Sequence, residues 1–323
     1  MTGIHLLLFA IAVSTLAPRG LAKAGWVYRS PRLGIAAWYA VLGAVLTAAS
    51  GAVLAVVAPW QAATAPACMA WRWCVQAARG EFGLLGRTAA FVALLAGLGL
   101  TVRLLLTGVR LARAASARRR AHVRILAMTG RTAPELGATV VENAQPAAYV
   151  VAGHGRRVVV TTGALQQLAG DEVAAVLAHE RAHAAGRHDL LLDGVRLLHQ
   201  AFPRMALFAV AHVQLCRLVE MRADEVATAR HAPISLARAL VTMATANAVD
   251  HDSRTPALAG VVAATGGDAA ERLHRLLTPP APLGRAQRAG LVAGITMLAL
   301  APAVALLAVQ VFPVLGMCPA LPS

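Results

Sequence analysis

Four stretches of the chain are apolar almost without interruption. Leu33 to Ala58 carries no charged residue and stops at Pro59. Ala289 to Leu315 has none either, and only Gln310 and the prolines Pro302 and Pro313 break its pattern. Thr88 to Thr107 is a third run, with Arg103 near one end, where a long side chain can reach the interface along its apolar stem. Gly3 to Ala17 is a shorter fourth. A membrane-crossing helix needs about 20 predominantly apolar residues, so the pattern predicts about four spans: 3–17, 33–58, 88–107 and 289–315. The first has two readings. No Lys or Arg precedes it, whereas Arg19, Lys23, Arg29 and Arg32 follow it, which suits an anchor with its N-terminus outside. The alternative is a signal peptide removed on export.

The segment between the third and fourth runs has a different rhythm. Ala138 to Glu142, Ala147 to Ala152 and Arg157 to Thr162 are short and rich in β-branched or apolar residues, and the Gly153–Gly155 turn precedes the last of them. They read as strands. Helical pattern follows from Gly163. Three regions are therefore expected: 1–109 with three spans, a catalytic-sized domain at 110–286, and 287–323 with the fourth span and a short tail. Met205 to Cys216, apolar-rich but containing His212 and Gln214, is too short to span. It is either a core helix or one lying in the interface.

Composition supports the membrane reading. The 323 residues are 58% hydrophobic and 14% charged, against roughly 25% charged in soluble domains. The net charge is +15, and Lys23 is the only lysine among 30 basic residues. Much of that charge sits beside the apolar runs, most densely at Arg110, Arg113, Arg118, Arg119, Arg120 and Arg124. Juxtamembrane arginine facing anionic lipid accounts for it, so no nucleic-acid partner is expected. The positive-inside rule puts the basic stretch and the following domain in the cytoplasm. Cys68 and Cys74 then share an outer loop, either paired or as two thiols, and Cys318 lies in the outer tail.

Residues 178–184 read AHERAHA. On a helix, residues four apart share a face, so His179 and His183 can offer two imidazoles to one metal ion. Glu180, beside them, is placed to act as general base on a metal-activated water. The surrounding pattern is helical: Asp171 is a candidate N-cap, Glu172 suits the first turn, Val173, Val176 and Leu177 form an apolar stripe, and Gly186 is a candidate C-cap.

Catalytic zinc takes three protein ligands and keeps one position open. Glu220 and Asp224, four apart in VEMRADE (219–225), supply one solution, with Glu220 as the third ligand and Asp224 orienting an imidazole from behind. Asp189 supplies another, because 179–189 fit HExxHxxGxxD. His188 is offset by one from that spacing and is assigned to the helix exit.

The set His179, Glu180, His183, Glu220 and Asp224 resembles the membrane gluzincin metallopeptidases, either the HtpX-like and CAAX prenyl protease group or the BlaR/MecR-type group. Val158 to Leu165 (VVVTTGAL) is similar to the strand and turn before their active helix, and Glu271 to Leu277 (ERLHRLL) to their closing helix. The ExxxD spacing leans toward the first group, and three spans, a protease domain and a fourth span toward the second. The chain ends about eight residues after Leu315, so the sensor domain of the second layout is expected to be absent.

The resemblance implies a mainly α, multi-pass cell-membrane protein carrying an α+β zincin-like domain. It implies one zinc ion on His179, His183 and Glu220, Glu180 as base, Asp224 behind a ligand, and a protein or peptide substrate paired along a strand edge near Ala147–Ala152. His231 and Arg238 are candidate oxyanion donors. A scaffold with a vestigial site or a transport subunit are the competing classes. The intact Glu180 argues against the first, and the uncharged second and fourth runs against the other.

Overall fold

In the computed structural model, which describes residues 2–57, 83–151, 157–251 and 269–316, each apolar run is part of a longer helix. They are α1 (Thr2–Lys23), α3 (Pro31–Val57), α4 (Gly83–Thr129) and α11 (Arg285–Gly316), with the short α2 (Gly25–Arg29) after α1. All four long helices are long and apolar enough to cross a membrane. α1 continues through Pro18 to Lys23, six residues past the apolar run. α4 differs most from expectation. Its 47 residues join the third apolar run to the basic stretch without a break, so the expected boundary at 109/110 falls inside one helix. The apolar criterion ends at Thr107, but the Ala- and Arg-rich sequence beyond it still favours helix. Arg103, expected to reach for the interface, instead donates from Nε to the Ala201 carbonyl at the end of another helix. Cys68, Cys74, Cys318 and the Gly153–Gly155 turn lie outside the described residues.

A four-stranded sheet follows α4: β1 (Gly130–Ala133), β2 (Ala138–Val141), β3 (Ala148–Val151) and β4 (Arg157–Thr161), in the order β1-β2-β4-β3. β2 and β4 are parallel, and the outer pairs antiparallel. β1 has no counterpart in the sequence reading. Its four residues, Gly-Arg-Thr-Ala, have neither alternation nor an apolar run to signal a strand.

The helices α5 (Thr162–Gln167), α6 (Gly170–Gly186), α7 (His188–Ala201), α8 (Ala206–Thr228), α9 (Pro233–His251) and α10 (269–277) complete the domain. Two apolar cores hold it. One joins Val140, Val158 and Val160 of the sheet to Val173, Val176 and Leu177 of α6 and Leu236 of α9. The other joins Trp38, Val41 and Leu42 of α3 to Val195 of α7 and to Leu207, Phe208, Ala211, Leu215 and Leu218 of α8. Most of Met205 to Cys216 is thus packed into this core. Gln214 is accommodated there by accepting a hydrogen bond from the Tyr28 hydroxyl at 2.8 Å. A close approach seals the junction: a Cβ on Gly34 would sit 2.7 Å from Val27 and 3.2 Å from Leu218.

Candidate metal centre

α6 carries the two histidines and α8 the two carboxylates, and the two helices pack side by side. Asp171 does not cap α6. The N-cap is Ala169, whose N–H donates to Glu172 Oε2 at 3.1 Å, as a first-turn glutamate allows. Asp171 instead accepts from the Ser235 hydroxyl at 2.6 Å, tying the start of α6 to α9. At the other end Gly186 is the last helical residue, and Arg187, at φ 50°, makes the left-handed turn.

His179 Nε2 and His183 Nε2 lie 3.1 Å apart. Glu220 gives one oxygen to each ring, 3.5 Å from His179 Nε2 and 3.4 Å from His183 Nε2. A metal with bonds of 2.0–2.1 Å in tetrahedral geometry needs donor atoms about 3.3 Å apart. With one ligand atom from each residue the group lies within 4.8 Å, compact enough to close on a single ion, and two nitrogens with one carboxylate are a donor set suited to zinc. Among the described residues this is the group of His, Cys, Asp and Glu able to hold a metal ion, and Asp189 is not part of it. Glu220 keeps 37% of its side chain exposed, whereas His179 is 7% exposed, so the group opens to solvent on the Glu220 side.

Asp224 stands behind His179, its Oδ1 2.9 Å from Nδ1, a close approach that falls short of hydrogen-bond alignment. Arg272 of α10 holds that carboxylate by two bonds of 2.8 Å each, and its remaining nitrogen lies 3.0 Å from Glu220 Oε2. Arg272 therefore braces both Glu220 and Asp224. It was not singled out in the sequence. Its only signal was membership of ERLHRLL, because a partner 48 residues away leaves no local spacing to read.

The electrostatics follow from this packing. Burial would lower the pKa of His179, but the Asp224 and Glu220 carboxylates outweigh it and push it up to about 9. Burial would raise Glu220, but His179, His183 and Arg272 hold its carboxyl far below the usual range. For Asp224 the bonds from Arg272 and the contact with His179 overcome burial and lower it. Glu180 goes the other way: burial raises it, and the two histidines offset only part of that.

Glu180 shares a cavity of about 260 Å³ with His179, Glu220 and Arg272, whose far wall is apolar: Val176, Leu236, Leu240 and Met243. Neither His231 nor Arg238 lines it. β3 is an edge strand lying against α6, with one side unpaired among the described residues.

The family model described as Peptidase family M48 matches residues 111–280, just over half of the chain. The matched segment contains every residue of the centre, from His179 to Arg272. No curated protein and no solved structure matches the chain. With a histidine, histidine and glutamate group suited to a metal ion inside that match, the chain belongs to peptidase family M48, the zinc metalloendopeptidases that include the HtpX and CAAX protease families.

Proposed function

We propose that this chain is a multi-pass membrane endopeptidase that holds one zinc ion on His179, His183 and Glu220 and cleaves peptide bonds of a cytoplasmic or membrane protein. The observation that carries the reading is the set of donor separations, 3.1, 3.5 and 3.4 Å, with Glu180 in the same cavity. A zinc ion held by His179, His183 and Glu220 would supply Lewis acidity, making a nearby water molecule more acidic. Glu180 takes the proton from the attacking water and delivers it to the leaving amine. Asp224, fixed by Arg272, orients His179.

The edge of β3 left unpaired among the described residues suits pairing with an extended substrate backbone, and the apolar lining from Leu236, Leu240 and Met243 offers a place for an aliphatic or aromatic side chain. Four helices of spanning length support a membrane location, with regions 1–109 and 287–323 in or beside the bilayer and 110–286 as the catalytic domain. The six arginines from Arg110 to Arg124 favour its cytoplasmic placement.

Purified in detergent, Glu180→Gln retains zinc at wild-type stoichiometry while proteolysis falls about 10²–10⁴-fold, the range for losing a general base. Equal proteolysis in the two proteins would refute the assignment.

A further inference from the structure

The two histidines of α6 are backed differently. Behind His179 stands a carboxylate, whereas behind His183 stands another imidazole. His188 is 5% exposed, and its Nδ1 lies 3.0 Å from His183 Nδ1, with the rings edge-to-face at 4.7 Å. A neutral imidazole that presents Nε2 to a metal carries its proton on Nδ1. In a site this enclosed that proton needs an acceptor.

The joint between α6 and α7 is shaped around this contact. Arg187 is the only non-glycine residue at positive φ among the described residues. That left-handed conformation is disfavoured outside glycine, and it folds the first residue of α7 back beneath α6. Gly186 leaves the room: a Cβ there would lie 2.5 Å from His188 Nε2 and 2.7 Å from Cδ2. A buried imidazole, a strained turn and a required glycine thus converge on one ring position.

We infer that His188 is a positioning residue for the metal centre, its Nδ1 accepting the Nδ1–H of His183 so that His183 Nε2 is held toward the metal. His188 then carries its own proton on Nε2. The inference rests on the zinc reading above and extends it to a residue that the HExxH and ExxxD spacings do not reach. It also gives the site an uneven support, with a carboxylate behind one ligand and a neutral imidazole behind the other.

The test is zinc affinity in detergent, measured by competition with a chelator, together with the visible spectrum of the cobalt-loaded protein. His188→Leu keeps the branched shape at Cγ but has no acceptor. His188→Asn puts an acceptor oxygen on Cγ, where His188 carries Nδ1. Zinc affinity is expected to fall about 10–100-fold in the leucine variant, the range for losing a group behind a ligand, and to stay close to wild type in the asparagine variant. The cobalt bands shift only in the former. Gly186→Ala pushes the ring without removing any polar group, and it too should weaken zinc binding, which keeps the inference open to refutation if the leucine variant does not fold. Wild-type affinity in His188→Leu or in Gly186→Ala, or equal losses in the leucine and asparagine variants, would overturn the inference alone, provided His183→Ala still abolishes tight binding. Zinc binding that does not depend on His183 would overturn the metal reading and this inference together.

Discussion

The two halves of α8 do opposite work on one continuous helix. From Leu207 to Leu218 its buried positions are apolar apart from Gln214, which Tyr28 satisfies, and they face α3 and α7. From Glu220 to Glu225 the same helix carries three carboxylates, two of them braced by Arg272 and one by Arg275. Leu218 and Val219, with no exposed surface, stand directly before Glu220. A helix transmits rotation and translation rigidly over so short a distance, so packing against α3 sets where the Glu220 and Asp224 carboxylates lie relative to α6. The contrast teaches that the apolar half provides stability and register, and the polar half metal affinity. Substitutions in the two halves should therefore separate those properties.

The largest stability effect is expected in the apolar half. Phe208, 1% exposed between α3 and α7, loses about 3–5 kcal/mol on Phe208→Ala, the cost of an aromatic cavity. Thermal unfolding in detergent reads that loss, while the folded fraction retains wild-type zinc affinity. A large drop in zinc affinity with unchanged unfolding would invert the comparison. In the polar half, Asp224→Asn should weaken zinc binding about 10–100-fold, because the carboxylate behind His179 and the charge partner of Arg272 go together. An unchanged chelator competition curve would deny Asp224 its role.

The smallest effect is expected away from α8. Asp171 is held below its ordinary pKa, chiefly by the Ser235 hydroxyl. Its contribution is therefore fully present above the unfolded value of about 3.9 and is lost as pH falls through the lower folded value. Asp171→Asn should lower the melting temperature slightly at neutral pH, with the difference from wild type closing as the acid range is crossed. A gap that widens on acidification would contradict the sign.

What was readable in the sequence was whatever local spacing encodes. The apolar runs located the four long helices, β-branched clusters located β2, β3 and β4, and a four-residue interval located each pair on α6 and α8. Spacing offered both Glu220 and Asp189 as third ligand, the resemblance pointed to Glu220, and the packing of α6 on α8 brings Glu220 to the histidines. Arg272 and His188 were not readable as parts of the centre. Arg272 acts through a contact between distant helices, and the reach of His188 depends on a backbone angle at Arg187 that no arginine advertises. Asp171 looked like an N-cap because the residue type fits, but its side chain has a tertiary partner in Ser235. The apolar run 88–107 located α4 but not its extent, because hydropathy and helix propensity part company after Thr107.

The central claim is that the metal is held between α6 and α8. Zinc content per protein molecule, measured by elemental analysis of wild type, Glu220→Ala and Asp189→Ala purified in parallel, tests it most directly. The account predicts one zinc in wild type and in Asp189→Ala, and a large loss in Glu220→Ala. Zinc retained in Glu220→Ala and lost in Asp189→Ala would contradict it.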